Sequence, residues 1–314
     1  MSSEVIRLEG PELALEVLPL GATLHRFEVP EAGGGWRNLV LSRPDVTAFD
    51  SGYRGASVGR YANRLGDARF DLDGVRYDLV ANEGANQLHG GPGGFSTLVW
   101  TVDEVTAESV TLSLVSPDGD QGFPGRLAVT ARFALIPGGA RVDYRATTDA
   151  PTVVNLTTHP YFRLGGDDIE GHTLTVHASS YTAVRPDLIP TGEVVGVAGT
   201  ALDLRRGRLL ADALADVVTE GIDAGGGIDH NFVVDGEGLR DHVRLAGPDG
   251  HVLTVRSDAP AVQVYSGEAF GRAGVAVEPQ NYPDAPNHAG FPSAVLRPGQ
   301  AYHTATEWLV ALGG

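Results

Sequence analysis

The side chains best suited to acid–base chemistry in this chain are a glutamate and a histidine, each followed by proline. Glu278 ends the apolar run Gly274-Val275-Ala276-Val277 and precedes Pro279, and His159 ends Asn155-Leu156-Thr157-Thr158 and precedes Pro160. A residue before proline is pushed out of the helical region toward extended backbone, so both groups are expected on stiff, strand-like chain. In a strand, Glu278 shares a face with Ala276 and opposes Val275 and Val277. Pro279 has no N–H to donate and is expected to end the ladder there. A carboxylate at the mouth of a buried strand can serve as a general base, although a solvated strand end would read the same way. His159 alternates with Asn155 and Thr157, while Val154 and Leu156 take the other face. That polar face is either solvent-exposed or the wall of a groove.

Three further stretches are polar where a purely structural segment would be apolar. Gly55-Ala56-Ser57-Val58-Gly59-Arg60-Tyr61-Ala62-Asn63-Arg64 sets two arginines and an asparagine among small residues. It reads as a close approach to a ligand or as a tight turn with two surface charges. Asn82-Glu83-Gly84-Ala85-Asn86-Gln87-Leu88-His89-Gly90-Gly91-Pro92-Gly93-Gly94-Phe95 places His89 beside glycines, in a loop able to approach a ligand closely or in a plain turn. Ile228-Asp229-His230-Asn231-Phe232 and Ala261-Val262-Gln263-Val264-Tyr265 form the third, and in the latter Gln263 and Tyr265 face opposite Val262 and Val264. Cross-strand polar pairing would account for these equally well.

Composition removes many alternatives. Cysteine is absent, and all 23 basic residues are arginine. Disulfides, thiolate metal sites, cysteine nucleophiles, Schiff-base lysines and the P-loop lysine are therefore excluded. The ten histidines include no H-E-x-x-H, and His172 and His177 are five apart, a spacing that suits neither a helix face nor a strand face, so no metal site is expected. No G-x-S-x-G elbow is present. A net charge of −17 argues against nucleic acid or an anionic membrane as partner and favours a neutral polar small molecule. The N-terminal residues show no leader pattern, and no stretch approaches the ~20 apolar residues of a membrane span. A cytoplasmic protein is expected.

The elements that must position these groups are strands. Phe70 and Leu72, the turn Asp73-Gly74, then Val75, Tyr77 and Leu79 predict a hairpin. Leu127, Val129, Ala131, Phe133 and Leu135, the turn Pro137-Gly138-Gly139, then Val142 and Tyr144 predict another. The pattern returns around Pro248-Asp249-Gly250, and only 209–218 reads as helix. With 42 glycines, 19 prolines and evenly spaced short strands, the expectation is an all-β sandwich or barrel, one domain over residues 1–314.

Taken together, the polar stretches resemble the aldose 1-epimerase family, the galactose mutarotases. The resemblance is carried by VGRYANR at 58–64, FDLDGVRYDL at 70–79, NQLHGG at 86–91, Trp100 and VVNLTTHPYF at 153–162. It continues through DHNF at 229–232, VQVYSG at 262–267 and VEPQNYPDAPNH at 277–288. It implies a large antiparallel β-sandwich of the mutarotase type with few short helices, and a monosaccharide bound in an open cleft without a cofactor. Glu278 is then the expected general base, His159 the general acid and His89 a second histidine of the site. Asn63, Arg64, Asp229 and Gln263 are expected to contact sugar hydroxyls, and the face of Asn155, Thr157 and His159 to form a cleft wall. A monomer or loose homodimer is implied. The chain departs from the common family pattern at Thr158-His159-Pro160-Tyr161-Phe162-Arg163, and its segment between Gln263 and Glu278 is short. A hexose-6-phosphate epimerase, with Arg205, Arg206 and Arg208 as a candidate phosphate cluster, an epimerase acting on a pentose or another aldose, and a non-catalytic sugar-binding protein are the alternatives.

Overall fold

Alternating apolar positions become strands along most of the chain. The computed structural model describes residues 5–31 and 33–313. Arg69–Leu72 and Val75–Asp78 form the first expected hairpin, with Leu72 opposite Val75 and both Asp73 and Gly74 at positive φ (52° and 81°). Leu127–Ile136 and Gly139–Thr148 form the second; Gly139 pairs with Ile136, so the turn itself is Pro137-Gly138. These two long strands lie within a nine-stranded sheet that also holds the C-terminal strand Tyr302–Ala311. Their inward positions, including Val129, Phe133, Val142, Tyr144 and Trp308, are buried.

A six-stranded sheet runs in the order Tyr161–Phe162, Val275–Gln280, Ala261–Tyr265, Asp229–Val234, Ala178–Val184 and Pro190–Gly196. A four-stranded sheet is made from Ile6–Glu9 to Trp36–Asn38. All strand ladders are antiparallel among the described residues. One core cluster takes side chains from all three sheets, Leu15, Phe133 and Val264 among them. Phe27 of the four-stranded sheet meets Phe162 and Trp308 edge-on, each at 6.3 Å, which joins the layers. The expected all-β antiparallel sandwich is what forms. The α-helix is Leu210–Glu220, burying Leu210, Ala213, Leu214 and Val217 at helical spacing and stopping at left-handed Gly221.

Pro279 does not end its ladder. The strand Val275–Gln280 continues through it, with Pro279 opposite Val262 and Gln280 opposite Ala261. The Pro279 carbonyl accepts a hydrogen bond from the Thr157 hydroxyl at 2.8 Å, on the side away from Ala261–Tyr265. The nitrogen and carbonyl of a strand residue point to the same side, so the missing N–H falls where no ladder bond is required.

Candidate active site

Directly paired residues in an antiparallel sheet share a face, and the register of the six-stranded sheet uses this to gather acids and amides. Glu278 is opposite Gln263, which is opposite Asn231; in the next row Ala276 is opposite Tyr265, which is opposite Asp229. The reverse face carries Val262, Val264, Val275 and Val277, all in the core. The polar face forms part of a cleft of about 310 Å³.

The remaining groups arrive on short ladders made by the glycine-rich segments. Arg64–Leu65 pairs with Gln87–Leu88, which brings Asn63 and His89 together. His89 donates its backbone N–H to the Asn63 carbonyl, and the Asn63 N–H donates to His89 Nδ1 at 3.1 Å. Thr157–Thr158 pairs with Ser57–Val58, and the His159 backbone is held by Gly55 and Ala56 on either side. His159 Nε2 then lies 3.3 Å from Glu278 Oε1, with both side chains almost fully buried. Tyr161 stacks on the His159 ring at 4.9 Å, and Tyr53 lies against His89 at 4.6 Å.

A second polar chain flanks this pair. Arg64 donates through Nε and Nη2 to the two Glu83 oxygens at 2.6 and 2.8 Å, and its Nη1 is 3.9 Å from Asp229. Asp229 accepts from Gln263 Nε2 at 2.5 Å. Burial pushes the Glu278 carboxyl well above the usual carboxylate range; the charge of Asp229 adds to the rise and Arg64 opposes it. Burial also raises Asp229. The imidazole of His159 is pushed down to about 4 by burial, and His89 falls well below the usual histidine value through burial and the nearby His159 and Arg64. Because His89 Nδ1 accepts the Asn63 N–H, neutral His89 carries its proton on Nε2.

Nitrogen and oxygen atoms of His89, His159 and Glu278 lie within 4.8 Å of one another, a spacing a cation could span. The lone pair of His89 Nδ1 is already taken by Asn63, which leaves an N–H donor at the other nitrogen. This donor set fits a hydrogen-bonding site better than a metal centre.

The seven candidate residues therefore come together: Asn63, Arg64, His89, His159, Asp229 and Glu278 line the cleft, and Gln263 sits behind its wall on Asp229. Other expectations need correction. Asn155 and Thr157 are not cleft wall. Asn155 donates to the Ala62 and Asn281 carbonyls and accepts the Asn281 N–H, and the Thr157 hydroxyl donates to the Pro279 carbonyl, so both tie loops to the strand that carries Glu278 and the residues that follow it. Arg60 is not a surface charge; it is 2 % exposed and its guanidinium is spent on the carbonyls of Ser116, Pro117 and Pro124 and the Ser116 hydroxyl. Arg205 pairs with Asp203 and Arg208 with Asp216, and neither these nor Arg206 lines the cleft.

Sequence reasoning missed Tyr53, Glu83, Leu188 and Gly225, which also line the cleft. Glu83 stands in the His89 stretch as an acid able to fork onto an arginine, but nothing local marks the partner. Tyr53, Asn63, His89 and Leu188 all hold positive φ, between 52° and 63°. Such left-handed non-glycine backbone collects at functional sites, yet it leaves no trace in composition.

Fold and site together define a class: a β-sandwich protein with a buried carboxyl–imidazole pair in an open polar cleft. Residues 4–308 match the family model described as aldose 1-epimerase, and the chain belongs to that family. It is 36 % identical to a galactose mutarotase from Bos taurus, with 96 % of this chain and 92 % of the relative aligned. It is likewise 36 % identical to an aldose 1-epimerase from Escherichia coli K12, over 94 % and 91 %. A crystal structure of an aldose epimerase homologue from C. elegans superposes with a TM-score of 0.91 at 28 % identity, covering 99 % of both chains. A galactose 1-epimerase from Lactobacillus acidophilus gives 0.85, also at 28 % identity, covering 98 % and 94 %.

Proposed function

We propose that this protein is an aldose 1-epimerase interconverting the α and β anomers of an aldohexose such as galactose or glucose, with Glu278 as general base and His159 as general acid. The observation that carries the reading is the 3.3 Å approach of His159 Nε2 to Glu278 Oε1 in the cleft. The anomeric hydroxyl oxygen and the ring oxygen of a pyranose are bonded to one carbon. An acid and a base that serve both must therefore stand side by side.

Glu278 takes the proton of the anomeric hydroxyl while His159 protonates the ring oxygen. The C1–O5 bond breaks and the free aldehyde forms. Rotation about C1–C2 offers the opposite carbonyl face, the ring oxygen attacks it, and both protons return. No C–H bond breaks and no electrons leave the substrate, so the residues present balance the reaction without a cofactor. The pair needs one proton in total, as carboxylate with imidazolium or as their neutral tautomer. Raising Glu278 and lowering His159 widens the pH range over which the pair holds that single proton. The Nε2–H of His89, the Asn63 amide and the Arg64–Asp229 pair are suited to hold sugar hydroxyls, with Gln263 positioning Asp229 from behind, and Tyr161 and Tyr265 line the cleft for C–H groups.

The charge balance favours an unphosphorylated sugar. Arg64 is the cation lining the cleft among the described residues, and it is already shared by Glu83 and Asp229, with Glu278 nearby. A purely sugar-binding role would leave the abutting acid and base without a task. No helix among the described residues is long and apolar enough to cross a membrane. We assign a cytoplasmic location, which a cysteine-free chain fits, and a monomer or loose homodimer, which sedimentation checks.

Polarimetry on fresh α-galactose and α-glucose tests the reading. Glu278→Gln should lose a factor of about 10²–10⁴ in rate, whereas wild-type mutarotation by that variant would remove the assignment. Comparison with the corresponding 6-phosphates should show preference for the neutral sugars.

A further inference from the structure

We propose that the cavity beside Gln280, two residues beyond Glu278 at the end of the same strand, is a second binding site for a neutral polyhydroxylated small molecule, a sugar or polyol. It holds about 580 Å³ against about 310 Å³ for the catalytic cleft, and the two share no lining residue. That volume is within the ~300–1,000 Å³ common for small-molecule sites.

The polar feature of its wall is Gln280. This side chain is 1 % exposed, and neither its amide nitrogen nor its amide oxygen has a partner among the described residues. A buried carboxamide with both functions unpaired costs stability, whereas the neighbouring Asn281 and Asp258 side chains are engaged. Asn281 is bonded to Pro292 and Ser293 carbonyls, and Asp258 accepts from the Thr304 hydroxyl and the Ala305 N–H. A carboxamide presents a donor and an acceptor side by side. Two neighbouring hydroxyls, each able to give and to take a proton, are its natural complement.

The rest of the wall narrows the class. Val154, Pro292 and Leu296 provide an apolar strip suited to the C–H face of a sugar ring. No arginine lines the cavity, the chain has no lysine, and Asp258 contributes a carboxylate, so an anionic ligand is disfavoured. The proposal does not depend on the anomer chemistry of the cleft.

Protein-observed NMR on the full chain tests it with three probes that cannot ring-open: methyl β-galactoside, methyl α-glucoside and myo-inositol. At least one should shift the Gln280 side-chain amide and backbone signals of 292–304, separately from any shift at Asn63 and His89. Gln280→Leu should weaken that response about tenfold and leave mutarotation unchanged. Should Gln280→Leu fail to fold, Ser293→Phe, which plugs the cavity from its exposed rim, should abolish the same shifts while leaving the cleft responses intact. Absence of shifts in 292–304 with all three probes up to their solubility limits would overturn the proposal. So would a response that survives the folded Gln280→Leu or Ser293→Phe protein unchanged.

Discussion

Glu278 and His159 lie close enough to titrate as a unit, and the surrounding charges define how that unit should respond to pH. The acid limb of the rate should fall near pH 4, where His159 gains a second proton for the pair. The basic limb follows the raised Glu278. Asp229 raises Glu278 and Arg64 lowers it, so two substitutions should move that limb in opposite directions. Asp229→Asn should shift it to lower pH and Arg64→Gln to higher pH, alongside weaker sugar binding in both. Stopped-flow mutarotation across pH checks the signs; a common direction for the two variants would show that Glu278 does not own the basic limb. His159→Asn, whose amide cannot supply the acid, should lose roughly 10²–10⁴-fold in rate and flatten the acid limb. The types of these residues were readable in the sequence because proline follows both Glu278 and His159. Their 3.3 Å contact was not, since 119 residues separate them along the chain and the pairing of Tyr161–Phe162 with Val275–Gln280 that brings them together leaves no local signal.

At the level of elements, period-two alternation predicted strands well, and it misread the segment around Asn155. Alternation there suggested one strand with a polar face. The chain instead makes two-residue ladders at Thr152–Val153, Thr157–Thr158 and Tyr161–Phe162, each to a different partner. Asn155 and Thr157 consequently turn to backbone groups of neighbouring loops, a three-dimensional circumstance that local pattern cannot encode. Pro279 was misjudged for a related reason: whether a proline ends a ladder depends on which side its nitrogen faces, and that follows from the partner strand. The structural role of these groups has a measurable consequence. Asn155→Ala would orphan the Ala62 and Asn281 carbonyls and the Asn281 N–H, each costing about 1–3 kcal/mol when buried. A total loss of roughly 2–4 kcal/mol is expected, allowing for partial relaxation. Thr157→Val, which removes one bond to Pro279, should cost only about 1–2 kcal/mol. Urea denaturation at constant m-value measures both. Equal losses would mean that Asn155 does not hold the strand.

The whole molecule buries more histidine than its chemistry needs, and this shapes its response to acid. His230 and His242 are 2 % and 0 % exposed, and burial drives them down to about 4 and about 3. His230 Nδ1 accepts the Asp229 N–H, and His242 Nε2 is 3.0 Å from the Ser257 carbonyl, so each has a structural post as a neutral ring. In the unfolded chain both regain a value near 6.5. As pH falls below that value the unfolded state binds protons that the folded state refuses, so stability is complete above about pH 6.5 and is lost toward the folded values. Each histidine contributes a slope of about 1.4 kcal/mol per pH unit in that interval. Two such groups would remove about 4 kcal/mol between pH 6 and 4.5, a large part of the ~5–15 kcal/mol typical of a folded protein. The acidic composition works the other way, since lowering pH relieves repulsion within a chain of net charge −17; moderate salt, held constant, suppresses that contribution. Denaturant midpoints measured from pH 7 to 4.5 should therefore fall steeply. In His242→Gln, which keeps a neutral hydrogen-bonding side chain, the slope should decrease by about one proton. An unchanged slope in that variant would place the acid sensitivity elsewhere in the molecule.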